Sequence, residues 1–118
     1  MSKHSKIGIK GEQLAAAFLL KKGYNILHAN WRHGHKEVDI IASKGDLLAF
    51  VEVKARSGNL FGFPEEAVTT RKRQLLKAAA DAFSEQNPAY RNIRFDIISI
   101  TLTGDEPSEI IHFEEAFY

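Results

Sequence analysis

Apolar residues recur at three-and-four spacing over residues 10–22, where Leu14, Ala15, Phe18 and Leu19 fall on one side and Gly23 is placed to end the turn. This pattern predicts a helix, with Glu12 in its first turn, where the helix dipole favours an acid by about 0.3–1 kcal/mol. From residue 24 the period shortens to two. Residues 24–31 predict a first strand, and residues 36–43 alternate polar with apolar as a second. Lys44, Gly45 and Asp46 supply turn chemistry, and residues 47–56, rich in Val and Phe, predict the returning strand of a hairpin. The Gly, Asn and Pro of residues 57–64 predict a loop. A second helix is expected from Thr69 or Thr70, either of which can cap it, to Gln86, because Pro88 forbids continuation. Its expected inner stripe is Leu75, Leu76, Ala79 and Phe83. Residues 92–103 alternate again, with Arg94, Asp96 and Ile98 facing away from Ile93, Phe95 and Ile97, and residues 109–113 supply a short last strand. The order α-β-β-β-α-β predicts an α/β fold in one domain over residues 1–118, with residues 1–8 flexible and no repeat or linker.

Three charged residues interrupt these apolar strands. Asp39 precedes Glu52 by thirteen positions, and Lys54 follows two further on. Strand alternation puts Glu52, Lys54 and Arg56 on one face, with Glu52 and Lys54 about 7 Å apart. Hairpin register decides whether Asp39 joins them. A two-residue loop at Lys44 and Gly45 sets Asp39 diagonal to Glu52, and a four-residue loop from Lys44 to Leu47 sets it directly opposite; a three-residue loop would separate the faces. Two clustered carboxylates repel unless a cation lies between them, and Mg²⁺ (or Mn²⁺), held by carboxylates, water and substrate phosphate, meets that need. Glu37 shares the parity of Asp39 and is a reserve ligand.

Composition narrows the alternatives. With 44% hydrophobic residues in 118, the chain buries a core without staples, and the absence of cysteine excludes disulfides, thiolate metal sites and cysteine nucleophiles. The five histidines lack the spacing of a zinc site, and no phosphate-cradling Gly-rich motif occurs. With no signal-like or membrane-length apolar run, a soluble cytoplasmic protein is expected. The net charge of +1 hides an asymmetry. Residues 1–104 hold every Lys and Arg and ten of the fifteen acids, a net of +6, whereas residues 105–118 hold five acids and no Lys or Arg. Basic clusters at Arg32 to Lys36, at Lys54 with Arg56, and at Arg71 to Arg73 are candidate phosphate contacts, Arg56 first among them. The aromatic run Phe61-Gly62-Phe63-Pro64 either seals a core edge or rests on a base.

The motifs Gly11-Glu12, Asn30-Trp31-Arg32, Glu37-Val38-Asp39, Phe50-Val51-Glu52-Val53-Lys54, Phe61 to Val68, Arg94-Phe95-Asp96 and Ala116-Phe117 span nearly the whole chain. With them the chain resembles the YraN family of restriction-endonuclease-like bacterial proteins, within the PD-(D/E)XK nuclease superfamily, and less closely the archaeal Holliday-junction resolvases. The resemblance implies a nuclease-like core with a mixed central sheet flanked by helices. It further implies Asp39 and Glu52 as metal ligands, Lys54 as the catalytic lysine and Glu12 as an accessory acid approaching the metal.

The expected function is Mg²⁺-dependent endonucleolytic hydrolysis of DNA phosphodiesters, with branched DNA as one substrate class, and with Lys54 orienting the attacking water and stabilising developing charge. Arg56, Arg71, Lys72 and Arg32 are the expected nucleic-acid contacts. A junction-resolving role would require a homodimer, because one such domain has one centre. Two other classes stay open: a catalytically silent nucleic-acid-binding domain, and a scaffold component whose acidic tail, residues 105–115, docks a partner.

Overall fold

The computed structural model describes residues 6–57, 69–104 and 106–117, and its elements follow the hydrophobic pattern closely. Helix α1 spans Lys6–Lys21, strand β1 Asn25–His33, β2 Lys36–Lys44, β3 Leu47–Ser57, helix α2 Thr70–Gln86, β4 Asn92–Thr103 and β5 Glu106–Phe117. Thr69 caps α2, its hydroxyl accepting from the Lys72 N–H at 3.2 Å, and the helix stops at Asn87, one residue before Pro88. Gly23, at φ 94°, takes the left-handed conformation that ends α1.

The strands form one sheet in the order β1-β2-β3-β4-β5. All neighbours are antiparallel except β3 and β4, which run parallel and are joined through α2. The two sheet faces carry separate cores. Ala15 and Leu19 of α1 pack with Ile40, Ala42, Ala49, Val51, Val53, Ile98 and Ile100, whereas Leu76, Ala79, Ala80 and Phe83 of α2 pack with Ile41, Leu48, Phe50 and Ile97. The opposite parities of these sets place the helices on opposite faces, as expected of a mixed sheet flanked by helices. Gly11 brings α1 down onto β3: a Cβ there would collide with the Cβ of Ala55.

Four expectations change. Helix α1 begins at Lys6, so residues 6–8 are helical and Glu12 lies beyond the first turn, which contains no acid. The first-turn dipole therefore does not explain this glutamate. Leu75 is exposed, and Ala80 takes its place in the inner stripe, because a 3.6-residue period through Leu76 and Phe83 selects Ala79 and Ala80. The β2–β3 turn holds only Gly45 and Asp46; Lys44 pairs with Leu47 and Ser43 with Leu48, giving the register expected of the longer loop. Finally, the strand expected over residues 109–113 is present but longer, Glu106–Phe117, and takes in most of the acidic segment. Within β5, Phe113 and Phe117 pack on the α2 side and Ile110 on the α1 side, so its apolar residues fix it as the sheet's last strand.

One irregularity shapes the region around Asp39. Pairing of β1 with β2 passes from Ala29↔Ile40 to Trp31↔Val38, leaving Asn30 and Asp39 between the rungs, and Asn30 adopts a left-handed φ of 56° that asparagine tolerates. Val38 and Ile41 both pack on the α2 side although they are three positions apart, while Ile40 packs on the α1 side. Regular alternation forbids that combination, so the strand inverts its facing at Asp39.

Candidate nuclease centre

Asp39 and Glu52 are drawn together by the β2–β3 hairpin. Described pairing between these strands ends at Ile40↔Val51, and beyond it Oδ2 of Asp39 accepts the Val53 N–H at 2.8 Å. A side chain thus binds the β3 backbone two residues past the last rung. The bond holds the Asp39 carboxylate beside the peptide that joins Glu52 to Val53, and both acids are buried.

Glu52 shares its strand parity with Leu48 and Phe50 and therefore faces α2. Lys54 Nζ stands 3.4 Å from Glu52 Oε2, and Lys72 Nζ, reaching down from the first turn of α2, stands 3.6 Å from Oε1. The Glu52 side chain is 1% exposed, whereas Lys54 and Lys72 are 30% and 31% exposed. A buried carboxylate requires compensating charge, and here two ammonium groups supply it from the solvent side. Sequence reasoning named Lys72 as a nucleic-acid contact and did not foresee its approach to Glu52. The folded chain puts it at the acid itself, because the Thr69 cap starts α2 close to β3.

The other expected residues are dispersed. Arg56 is half-buried further along the Glu52 face of β3, and Arg71 is exposed on the first turn of α2. Arg32 pairs across the β1–β2 hairpin with Glu37, the reserve ligand, at 3.0 Å between guanidinium and carboxylate. Arg73 lies over the Phe117 ring at 5.3 Å and so belongs partly to packing. Glu12 is buried on α1, next to the Gly11 contact with β3 and on the face opposite α2. Phe61-Gly62-Phe63-Pro64 lies outside the described residues. Among the described residues no three His, Asp or Glu side chains are grouped to hold a metal ion. Magnesium is commonly held through one or two carboxylates with water and substrate phosphate, and the hard oxygens of Asp39 and Glu52 suit that requirement.

One further buried acid, Asp96, was not assigned a role by sequence. Asp96, fully buried on the α1 face of β4, accepts Arg94 Nε at Oδ1 and Arg94 Nη2 at Oδ2, both at 2.8 Å, and the Glu115 N–H at Oδ1 at 3.2 Å. His112 Nε2 lies 2.8 Å from Oδ2, and its Nδ1 lies 2.8 Å from Lys22 Nζ. A lysine ammonium only donates, so Nδ1 accepts and the ring proton sits on Nε2, directed at Asp96. Arg94 Nη2 also donates to the Tyr24 hydroxyl at 2.6 Å. Burial alone would raise the Asp96 carboxyl; the hydrogen bonds from His112 and Arg94, the Arg94 charge and the Glu115 N–H together hold it below its ordinary value. Arg94 is in turn held more firmly protonated, chiefly by its hydrogen bond to Asp96. The signal available in sequence was the Arg94-x-Asp96 spacing, which places both residues on one strand face.

The fold is that of an α/β chain with a five-stranded mixed sheet and two helices, α-β-β-β-α-β-β in order, an arrangement consistent with a nuclease-like core. The chain belongs to UPF0102, described as an uncharacterised protein family, whose pattern it matches over residues 11–100. It is 45% identical to a UPF0102 protein of Phocaeicola vulgatus over 119 aligned positions, covering 100% of this chain and 97% of that one. A UPF0102 protein of Bacteroides thetaiotaomicron is likewise 45% identical with the same coverage, and one from Rhodococcus opacus is 38% identical across 99% of this chain and all of its own.

Proposed function

We propose that the chain is a metal-dependent endonuclease whose centre is Asp39, Glu52 and Lys54, acting on DNA. The observation that carries this reading is the Asp39 carboxylate clamped on the Val53 amide, which holds a second buried acid against the strand segment that bears Glu52 and Lys54. Asp39 and Glu52 would hold Mg²⁺ or Mn²⁺. When bound, the ion would supply Lewis acidity to the phosphodiester and make a water more acidic.

The chain's own residues divide the remaining work. Asp39, fixed by Val53, presents its carboxylate in one orientation and so contributes positioning without a search over rotamers. Lys54, tethered to Glu52 and partly exposed, is placed to orient a water and to stabilise negative charge developing on a phosphate oxygen. Lys72 brings a second cation to the same acid from α2. Arg56 continues the face and is the first candidate to bind the phosphate bidentately, with exposed Arg71 beyond it. Glu12 is an accessory acid in this proposal.

A cleavage assay with Mg²⁺ or Mn²⁺ on single-stranded, duplex and four-way-junction DNA, with Lys54→Ala as control, tests the reading. Metal-dependent products from the wild type and none from the variant are expected. The lysines beside Glu52 favour one second reading, a catalytically silent nucleic-acid-binding domain in which they neutralise the acid permanently. Salt-dependent DNA binding without cleavage would select it.

A further inference from the structure

We propose that Trp31 and His33 form a stacking platform for an unpaired nucleobase, so that the ligand of this face is nucleic acid with a single-stranded segment. Two residues apart on β1, their side chains share a face. Trp31 is wedged edge-on against Phe83 of α2, with ring centroids 5.8 Å apart at 87°, so its plane is fixed by the core. The His33 ring lies over it at 5.8 Å and 10°, and His33 is exposed. One ring is anchored beneath, and a second is presented to solvent.

The platform stands on the α2 side of the sheet, which is also the side of Glu52 and Lys72. His33 pairs with Lys36 across the β1–β2 turn, and the Arg32–Glu37 ion pair braces the same end of the hairpin. Strand β1 is two strands from β3, so the rings lie roughly 10 Å across the sheet from the Glu52 row. That is a short step along an extended strand whose phosphates meet Lys54, Lys72 and Arg56. Stacking on an aromatic face with cations alongside tolerates any sequence, because every base has a π-face. Bases inside a duplex have both faces covered by their neighbours, so none of them can settle on His33, whereas every base of an unpaired segment can. The inference rests on the nuclease reading for the class of ligand, but its test does not need catalysis.

The test uses the full chain without divalent metal and reads emission of Trp31, the only tryptophan. The probes are an oligothymidylate of about 12 nucleotides, within the usual span of such sites, and a duplex of equal length. Oligothymidylate should quench Trp31, His33→Ala should weaken its binding on the order of tenfold, and His33→Phe should restore it. Duplex binding should be indifferent to both substitutions. Absence of quenching, unchanged oligothymidylate affinity in His33→Ala, failure of phenylalanine to rescue, or an equal loss on duplex would each overturn the platform. Ring-dependent binding by a chain that cleaves nothing would uphold it while the nuclease reading fell; cleavage with ring-independent binding would do the reverse.

Discussion

Two acids from neighbouring strands are buried on opposite faces of one sheet, and their surroundings differ in kind. Asp96 on β4 is closed in. Its partners Arg94 and His112 are themselves 16% and 3% exposed, and bonds of 2.8–3.2 Å come to its two oxygens. Glu52 on β3 has its charge met by two lysines at 3.4 and 3.6 Å, each about a third exposed and carried on long flexible stems. Fixed, buried partners join β4 and β5 to Tyr24 in the turn between α1 and β1. In the proposed centre, partly exposed lysines would turn from the acid to an incoming phosphate or give way to a metal. Burial of a carboxylate is therefore weak evidence of function by itself; the exposure of its partners separates a brace from a site.

The largest effect that would break this contrast is on activity. Glu52→Gln should lower metal-dependent cleavage by at least about 100-fold, since it removes a charge that positions the reacting groups. Its melting temperature should stay close to wild type, because both freed lysines can reach water. A large fall in melting temperature without metal would make Glu52 a second brace.

Asp96→Asn should do the opposite. Removing one member of a buried ion pair leaves Arg94 with only the longer contact to Glu114 at 3.9 Å and should cost about 3–5 kcal/mol, read from denaturant unfolding. Cleavage per folded molecule should be unchanged. Equal losses of stability and of specific activity would show that the two regions are not separable.

Acid should distinguish them more gently. The Asp96 carboxyl is held below its ordinary value of 3.8, so its contribution to stability is fully present above that value and is lost as pH falls through the lower, folded value. Unfolding followed from pH 6 downward should show a step in this acid range, and Asp96→Asn should lack it. The same step in the variant would assign acid sensitivity to other carboxylates.

The smallest expected effects concern the basic face. Arg71→Ala should weaken binding to all DNA sequences alike and reduce the slope of log affinity against log salt by about 0.9, the value for one lost phosphate contact. Arg73 is unsuitable for that test because its guanidinium packs on Phe117. A salt-independent isotherm would make the cluster solvated surface.

Periodicity along the chain determined most of the elements: both helices, the Thr69 cap, the stop before Pro88 and the long alternating β4 were legible because each follows from local spacing and backbone chemistry. The charged interruptions at Asp39, Glu52 and Lys54 were legible for the same reason, since charge inside apolar strands stands out. Tertiary structure decided the rest. The start of α1 at Lys6 removed Glu12 from the first turn, and packing of Phe113 and Phe117 extended the short strand expected over residues 109–113 to Glu106–Phe117. The facing inversion at Asp39, opposite the left-handed Asn30, has no local signature, and neither has the approach of Lys72 to Glu52. Spacing along a strand or helix is set by backbone geometry within a few residues, whereas contacts between β3 and α2 or between β4 and β5 depend on how whole faces pack, which no short stretch of sequence encodes.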